Sequence, residues 1–163
     1  MKILTLVYHS RTGGTEQMVR AAAEGALGEN TVETRQVWAG DATAEDVLIS
    51  DGLIFACPEN LAAMSGLMKE FFDRTYYAVL DRIQGRPYAI MVCGGSDGEG
   101  AVRQITRIAT GWRLRAINEP IVVCTHAQTP EEIAAPKTIG GEDLQRCREL
   151  GQAFAAGLAM GVF

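Results

Sequence analysis

The chain is written as a regular alternation of two patterns. Apolar, β-prone runs at Lys2 to Tyr8, Thr31 to Val37, Gly52 to Cys57, Tyr88 to Cys93 and Ile121 to Thr125 are separated by stretches of helical periodicity. Strands separated by helices pair in parallel through right-handed crossovers, so this rhythm restricts the topology to a handful of α/β arrangements. The first, third and fourth runs are nearly continuous in apolar residues, as strands covered on both faces must be, and form the centre of the sheet. Gly14 to Leu27 gathers Val19, Ala22, Ala23 and Ala26 on one helical face, and Ser65 to Leu80 gathers Leu67, Met68, Phe71, Phe72, Thr75 and Val79. A third helix from about Gly98 carries Val102, Ile105, Ile108 and Trp112, and the last carries Leu144, Cys147, Leu150, Phe154 and Leu158. Thr43 to Asp46 and Ser96 to Glu99 both place a hydroxyl three residues before a carboxylate, the spacing of a capping box at a helix start. No repeat, linker or low-complexity tract interrupts the pattern. The expectation is a single domain over residues 1–163: a three-layer α/β sandwich whose five-stranded parallel sheet has the order 2-1-3-4-5, with helices on both faces.

Charge and cysteine usage remove several function classes. A net charge of −5 with scattered basic residues repels polyanions, so nucleic acid is not an expected partner. The longest apolar runs are strand-sized, and no leader precedes the first of them, which points to a cytoplasmic protein without a membrane segment. Four cysteines without a C-x-x-C pair, and only two histidines, supply a metal site poorly and read as reduced thiols.

In the order 2-1-3-4-5 the strand order reverses beside the first strand, and the loops after strands one, three and four converge there at the carboxyl edge. The first of these loops is His9-Ser10-Arg11-Thr12-Gly13-Gly14-Thr15, set between a buried strand and a helix start. Hydroxyls of Ser10, Thr12 and Thr15, amides freed by glycine and the positive end of a helix dipole are the donors a phosphate needs. The loop lacks the lysine of a nucleoside-triphosphate site and the glycine spacing of a dinucleotide site, which narrows the ligand to a monophosphate. The competing reading is an ordinary strand-to-helix turn with Thr12 as N-cap. Arg11 either clamps a phosphate or points to solvent.

Ser10 to Glu16 resembles the phosphate-loop motif of flavodoxins and of related NAD(P)H-dependent flavin reductases. Pro58-Glu59-Asn60, Met64-Ser65-Gly66 and Lys69 to Thr75 are similar to the second flavin loop and following helix of that superfamily, so the likeness spans nearly the whole chain. It implies a flavodoxin-like fold and non-covalent FMN, with Ser10, Arg11, Thr12, Gly13, Gly14 and Thr15 around the phosphate. It further implies that Pro58, Glu59, Asn60, Leu61, Ala62, Ala63, Met64 and Ser65, together with Gly94, Gly95, Ser96, Asp97 and Gly98, lie beside the flavin ring.

The chain departs from the superfamily where flavodoxins stack an aromatic ring on the flavin: here stand Leu61, Ala62 and Ala63. A missing aromatic wall forfeits about 0.5 to 1.5 kcal/mol of stacking beyond burial. It also leaves a ring face open to a nicotinamide or quinone, which favours a reductase using NAD(P)H over a dedicated carrier. Such an enzyme needs no catalytic acid, base or nucleophile from the protein, and none is evident. The alternatives are a flavodoxin-type electron carrier and a flavodoxin-like module with weak or lost FMN binding. Partners on these readings are a small-molecule acceptor or a redox protein. Tyr76, Tyr77 and the segment Ala127 to Gly140, read as a long surface loop after the edge strand, are candidate contacts for a homo-oligomer, the latter also a candidate lid. Cys57 and Cys93 end neighbouring strands, where a close thiol pair competes with the plainer reading of two small buried hydrophobes. His9 could hydrogen-bond a phosphate or a reducing substrate, and the plainer reading is a structural residue of the turn.

Overall fold

The computed structural model describes residues 1–163. Its elements follow the chain as β1 (Lys2–Tyr8), α1 (Gly14–Ala26), β2 (Val32–Trp38), α2 (Ala44–Leu48), β3 (Gly52–Asn60), β4 (Ala63–Met64), α3 (Gly66–Val79), β5 (Pro87–Gly94), α4 (Glu99–Gly111), β6 (Arg115–Ala116), β7 (Ile121–Cys124), α5 (Pro130–Ala134) and α6 (Gly141–Met160). The sheet runs β2-β1-β3-β5 in parallel, and β6 and β7 both pair with the free side of β5, at its start and its end. The five expected strands are all present, the fifth as β7, and the two-residue β6 is an addition the sequence did not suggest. Two-residue β4 is the one antiparallel member and pairs only with the end of β3.

Alternation along the central strands divides the core in two. Leu4, Leu6, Ile54, Ala56, Ala89, Met91 and Cys93 face α1 and α6 with Met18, Ala22, Leu150 and Phe154. Val7, Leu53, Phe55, Cys57, Tyr88, Ile90 and Val92 face the other way, against Met68, Phe71, Phe72, Ile105 and Trp112. Cys57 and Cys93 therefore lie on opposite faces of the sheet. The proposed thiol pair is ruled out by strand parity: Cys93 stands opposite Pro58 in register, one residue beyond Cys57. Burial pushes both thiols up to about 11. Tyr76 stacks on Trp112 with centroids 5.7 Å apart, whereas Tyr77 stands exposed. No helix is long and apolar enough to cross a membrane.

The helix starts are capped partly as expected. Thr43 and Asp46 form the capping box of α2. The box expected from Ser96 and Glu99 is not formed, because the N-cap of α4 is Gly98 and the Asp97 carboxylate takes the free amides of Gly98 and Glu99. An unforeseen box joins Thr129 to Glu132 and starts α5 within the segment read as a loop.

Helices α1 and α6 meet at glycines. A Cβ on Gly151 would lie 1.8 Å from the Ala22 carbonyl oxygen, and one on Gly25 would lie 1.9 Å from that of Arg148. Backbone cannot yield as a flexible side chain does, so the helices would have to separate. Gly151→Ala is expected to lower the free energy of urea unfolding by about 1 to 3 kcal/mol. At Gly66 a Cβ meets nothing within 4 Å, so Gly66→Ala serves as a control that leaves stability equal or slightly raised.

Candidate functional site

The first loop leaves β1 with the His9 amide still bonded to the Ala56 carbonyl, 3.0 Å away. It then folds around a hydroxyl: Ser10 Oγ accepts from the amides of Gly13 and Glu16, each at 3.2 Å. The N-cap of α1 is Gly13, at φ 91°, and it brings no side-chain cap; Thr12, expected there in the competing reading, does not cap the helix. Thr15 is buried, and its Oγ1 has no hydrogen-bond partner. A buried hydroxyl in that state costs about 1 to 3 kcal/mol, which makes its position at the start of α1 informative. Gly14 is held close above β5, where a Cβ would come within 2.7 Å of Cys93 Sγ. Arg11 is exposed at the rim.

His9 ties this loop to the next one. Its Nδ1 shares a hydrogen bond of 2.8 Å with Ser65 Oγ, and its ring stands edge-on to Trp38 with centroids 5.1 Å apart. Burial, and next the Arg11 guanidinium, hold its pKa below the ordinary value, so the imidazole is neutral at pH 7.

The second loop is a tight hairpin. Glu59 pairs with Met64 and Asn60 with Ala63, leaving Leu61 and Ala62 as a two-residue turn. Both have positive φ, 51° and 64°, as in a type I′ turn. Neither is the Asn, Asp or Gly that adopts this conformation readily, and the Leu61 side chain projects fully into solvent. The hairpin is fastened to the start of α4. Glu59 Oε2 accepts from the Ala101 amide at 3.0 Å, Gln104 Oε1 accepts from the Met64 amide at 2.9 Å, and a Cβ on Gly100 would lie 2.1 Å from the Ala62 oxygen. Pro58 and Ser65 close its base, the Ser65 amide donating to the Pro58 oxygen at 3.2 Å.

The third loop is built by backbone. A Cβ on Gly94 would meet the Asp97 oxygen at 1.9 Å, and one on Gly98 would meet Val122 Cγ1 at 2.5 Å, so both positions need glycine. The Gly94 and Gly95 oxygens accept from the amides of Thr125 and His126, each at 2.9 Å, and Ser96 Oγ accepts from Gln128 Nε2 at 2.8 Å.

The structure thus brings the three predicted segments to one edge: His9 and Ser65 join the first loop to the hairpin, Glu59 and Gln104 join the hairpin to α4, and Gly14 rests on Cys93 beside the third loop. Sequence reasoning missed the bridging role of His9, whose partner is 56 residues away. It also missed the locking role of Gln104. Two shallow depressions, one lined by Arg20, Glu24, Thr34 and Gln36 and one by Lys2, Thr31 and Asp51, lie elsewhere and gather no comparable set of groups.

A family model described as NADPH-dependent FMN reductase matches residues 39–129, more than half of the chain. The chain belongs to that family. The match takes in the hairpin and the third loop and begins after the first. A flavodoxin from Aquifex aeolicus (strain VF5) is 36% identical over 95 residues, covering 58% of this chain and 51% of that protein. An NAD(P)H dehydrogenase (quinone) from Acidithiobacillus ferrooxidans is 33% identical over 95 residues, covering 46% and 48%. The chain spans about half the length of these curated relatives. Among solved structures, an archaeal flavodoxin superposes with a TM-score of 0.77 at 19% identity, over 96% of this chain and 99% of that one. A flavodiiron protein from Giardia intestinalis superposes with a TM-score of 0.76 at 19% identity, over 96% of this chain and 36% of that one. The fold of this FMN reductase family member is therefore flavodoxin-like.

Its strained hairpin allows a direct check. Replacing Leu61-Ala62 by Asn-Gly supplies the residues that a type I′ turn favours, at a position where leucine contributes no burial. Relief of left-handed strain is expected to raise the unfolding free energy by about 1 to 3 kcal/mol in urea denaturation. A decrease would mean that the turn is not strained as described.

Proposed function

We propose that the protein is an oxidoreductase that holds FMN non-covalently along the loop edge, takes reducing equivalents from NAD(P)H and delivers them to a quinone-type small molecule or to a redox protein. The observation that carries this reading is Thr15 Oγ1, buried without a partner at the start of a helix whose N-cap residue, Gly13, has no side chain to cap it. A phosphate would satisfy it, and would also meet the free amides and the positive end of the α1 dipole. On this reading Ser10, Thr12, Gly13, Gly14 and Thr15 hold the phosphate, with Arg11 at the rim. Ser10 Oγ, by accepting from two loop amides, keeps the loop curved around the anion. The neutral imidazole of His9 fixes the hairpin base at Ser65 without adding charge.

On this reading the flavin ring lies beside Pro58 to Ser65 and Gly94 to Gly98, and neither segment contains an aromatic side chain to cover it. Bound there, FMN supplies the redox chemistry, hydride acceptance from a reduced nicotinamide and electron transfer to the acceptor. The chain's own task is binding and orientation. The hairpin, held by Glu59 and Gln104, keeps a fixed wall, while the exposed Leu61-Ala62 turn leaves one face accessible to a second reactant. The family description, with its NADPH and FMN, supports this reading. The 36% identity to a flavodoxin favours the second one, an electron carrier that passes electrons between proteins without oxidising NAD(P)H itself. On either reading residues 1–163 act as one domain, and the four cysteines, all free thiols, suit a reducing cytoplasm.

Thr15→Val tests the site with opposite signs for stability and binding. Replacing an unpartnered buried hydroxyl by a methyl of the same shape is expected to raise the stability of the ligand-free protein by about 1 kcal/mol, while loss of a charged hydrogen bond weakens FMN by about 1.5 to 3 kcal/mol. Calorimetric titration and thermal denaturation measure the two effects, and unchanged FMN affinity would place the phosphate elsewhere. An anaerobic titration of the wild-type protein with FMN and then NADPH or NADH separates the two readings. Rapid bleaching of the flavin absorbance is expected for the reductase, and bound flavin that neither nicotinamide bleaches would identify the carrier.

A further inference from the structure

Residues 126–140 form a strap from the third loop back to the first. At one end the His126 amide donates to the Gly95 oxygen and Gln128 Nε2 to Ser96 Oγ. In the middle α5 is closed at both ends, by the Thr129 and Glu132 box and by Lys137 Nζ, which donates to the oxygens of Glu132, Ile133 and Ala135 at 2.8, 2.9 and 2.6 Å. At the other end Ile139 is buried in the core. The strap therefore reaches the first loop as a braced element.

Where it does so, one side chain makes the connection. Gln17, in the first turn of α1, donates through Nε2 to the Gly13 oxygen at 2.8 Å and to the Lys137 oxygen at 2.7 Å, and its Oε1 accepts from the Ile139 amide at 3.0 Å. Beside it the Lys137 amide donates to the Thr12 oxygen at 2.9 Å. The carbonyls of Thr12 and Gly13 are thus both held by this clasp. In a planar trans peptide the N–H points opposite to the C=O, so turning these two carbonyls toward the clasp turns the N–H groups of Gly13 and Gly14 away from it. The Gly13 N–H does point into the loop, where it meets Ser10 Oγ at 3.2 Å. Gly13 at φ 91° allows the chain to make this reversal.

We infer that Gln17 is a positioning residue for phosphate recognition: with Lys137 and Ile139 it locks the Thr12–Gly13–Gly14 peptides so that the Gly13 amide holds Ser10 Oγ and the Gly14 amide faces the anion before it binds, and so sets the preference for a flavin phosphate over the unphosphorylated flavin. This rests on the proposed phosphate-loop function. Gln17 touches no ligand in this scheme, and its effect runs through the two peptide planes.

The test compares FMN with riboflavin, which share the ring and differ in the phosphate. Wild-type protein, Gln17→Leu and Gln17→Glu are titrated with each flavin and followed by flavin fluorescence. The expected result is that wild type prefers FMN, and that both variants lose about tenfold of that preference while their riboflavin affinity stays within about twofold of wild type. Gln17→Glu keeps the side-chain shape without the amide donors and provides the comparison if Gln17→Leu does not fold. A variant that keeps the wild-type FMN to riboflavin ratio, or that loses both flavins equally, overturns the positioning role. Wild-type protein that binds riboflavin as tightly as FMN refutes the underlying phosphate-loop reading instead.

Discussion

The parallel pairing of β1 with β3 sets the level of everything above it. Leu4 lies opposite Gly52 and Tyr8 opposite Ala56, while β3 in turn aligns Cys57 with Val92 and Pro58 with Cys93. Three strands therefore reach the carboxyl edge of the sheet within a few residues of one another, and their loops have to share one space. Because β1 also pairs with β2, the chain has left the first strand in opposite directions along the sheet, which opens the crevice between those loops. The two-sided core beneath fixes that register, since a slip of one residue would exchange every inward and outward side chain.

On this base the loop edge joins stiffness to exposure. The hairpin turn carries two residues in left-handed backbone, at about 1 to 3 kcal/mol each. Such a turn persists only where the surroundings determine it, and here Glu59 and Gln104 bond it to the start of α4 while Gly100 admits the Ala62 carbonyl. The first loop is shaped in the same manner by Ser10 from within and by Gln17 from behind. Neither loop relies on an aromatic wall. On the β2 flank of the first loop the rings of Tyr8 and His9 both stand edge-on to Trp38. The proposed ring site, formed by backbone and small side chains, would forgo aromatic stacking and leave room for a reactant to approach.

Much of this was legible in the sequence for a simple reason: strands buried on both faces and amphipathic helices write their periods directly into the residues. The five strand positions, the four long helices, the Thr43 cap and the clustering of the three loops all follow from such local patterns. The illegible parts depend on distance or on a broken rule. Leu61-Ala62 carries no turn chemistry, so the β3–β4 hairpin left no trace. Asp97 displaced Ser96 as the cap because α4 begins two residues later than a Ser96 box requires. Gln17 and His9 act on groups 120 and 56 residues away, and a lone glutamine or histidine announces no such partner. Strand parity separates Cys57 from Cys93, and parity becomes certain only once the register is known.

The central claim is that a flavin phosphate binds within the first loop, with its ring between the hairpin and the third loop. The most direct measurement is a two-dimensional amide NMR titration of the protein with FMN, followed residue by residue. Binding at the loop edge predicts the largest shifts at Gly13, Gly14 and Thr15, with a second group at Glu59 to Met64 and Gly94 to Glu99, and little change on the far edge, at the strand starts around Lys2, Thr31 and Asp51. Shifts centred on that far edge, with Gly14 and Thr15 unmoved, would contradict it.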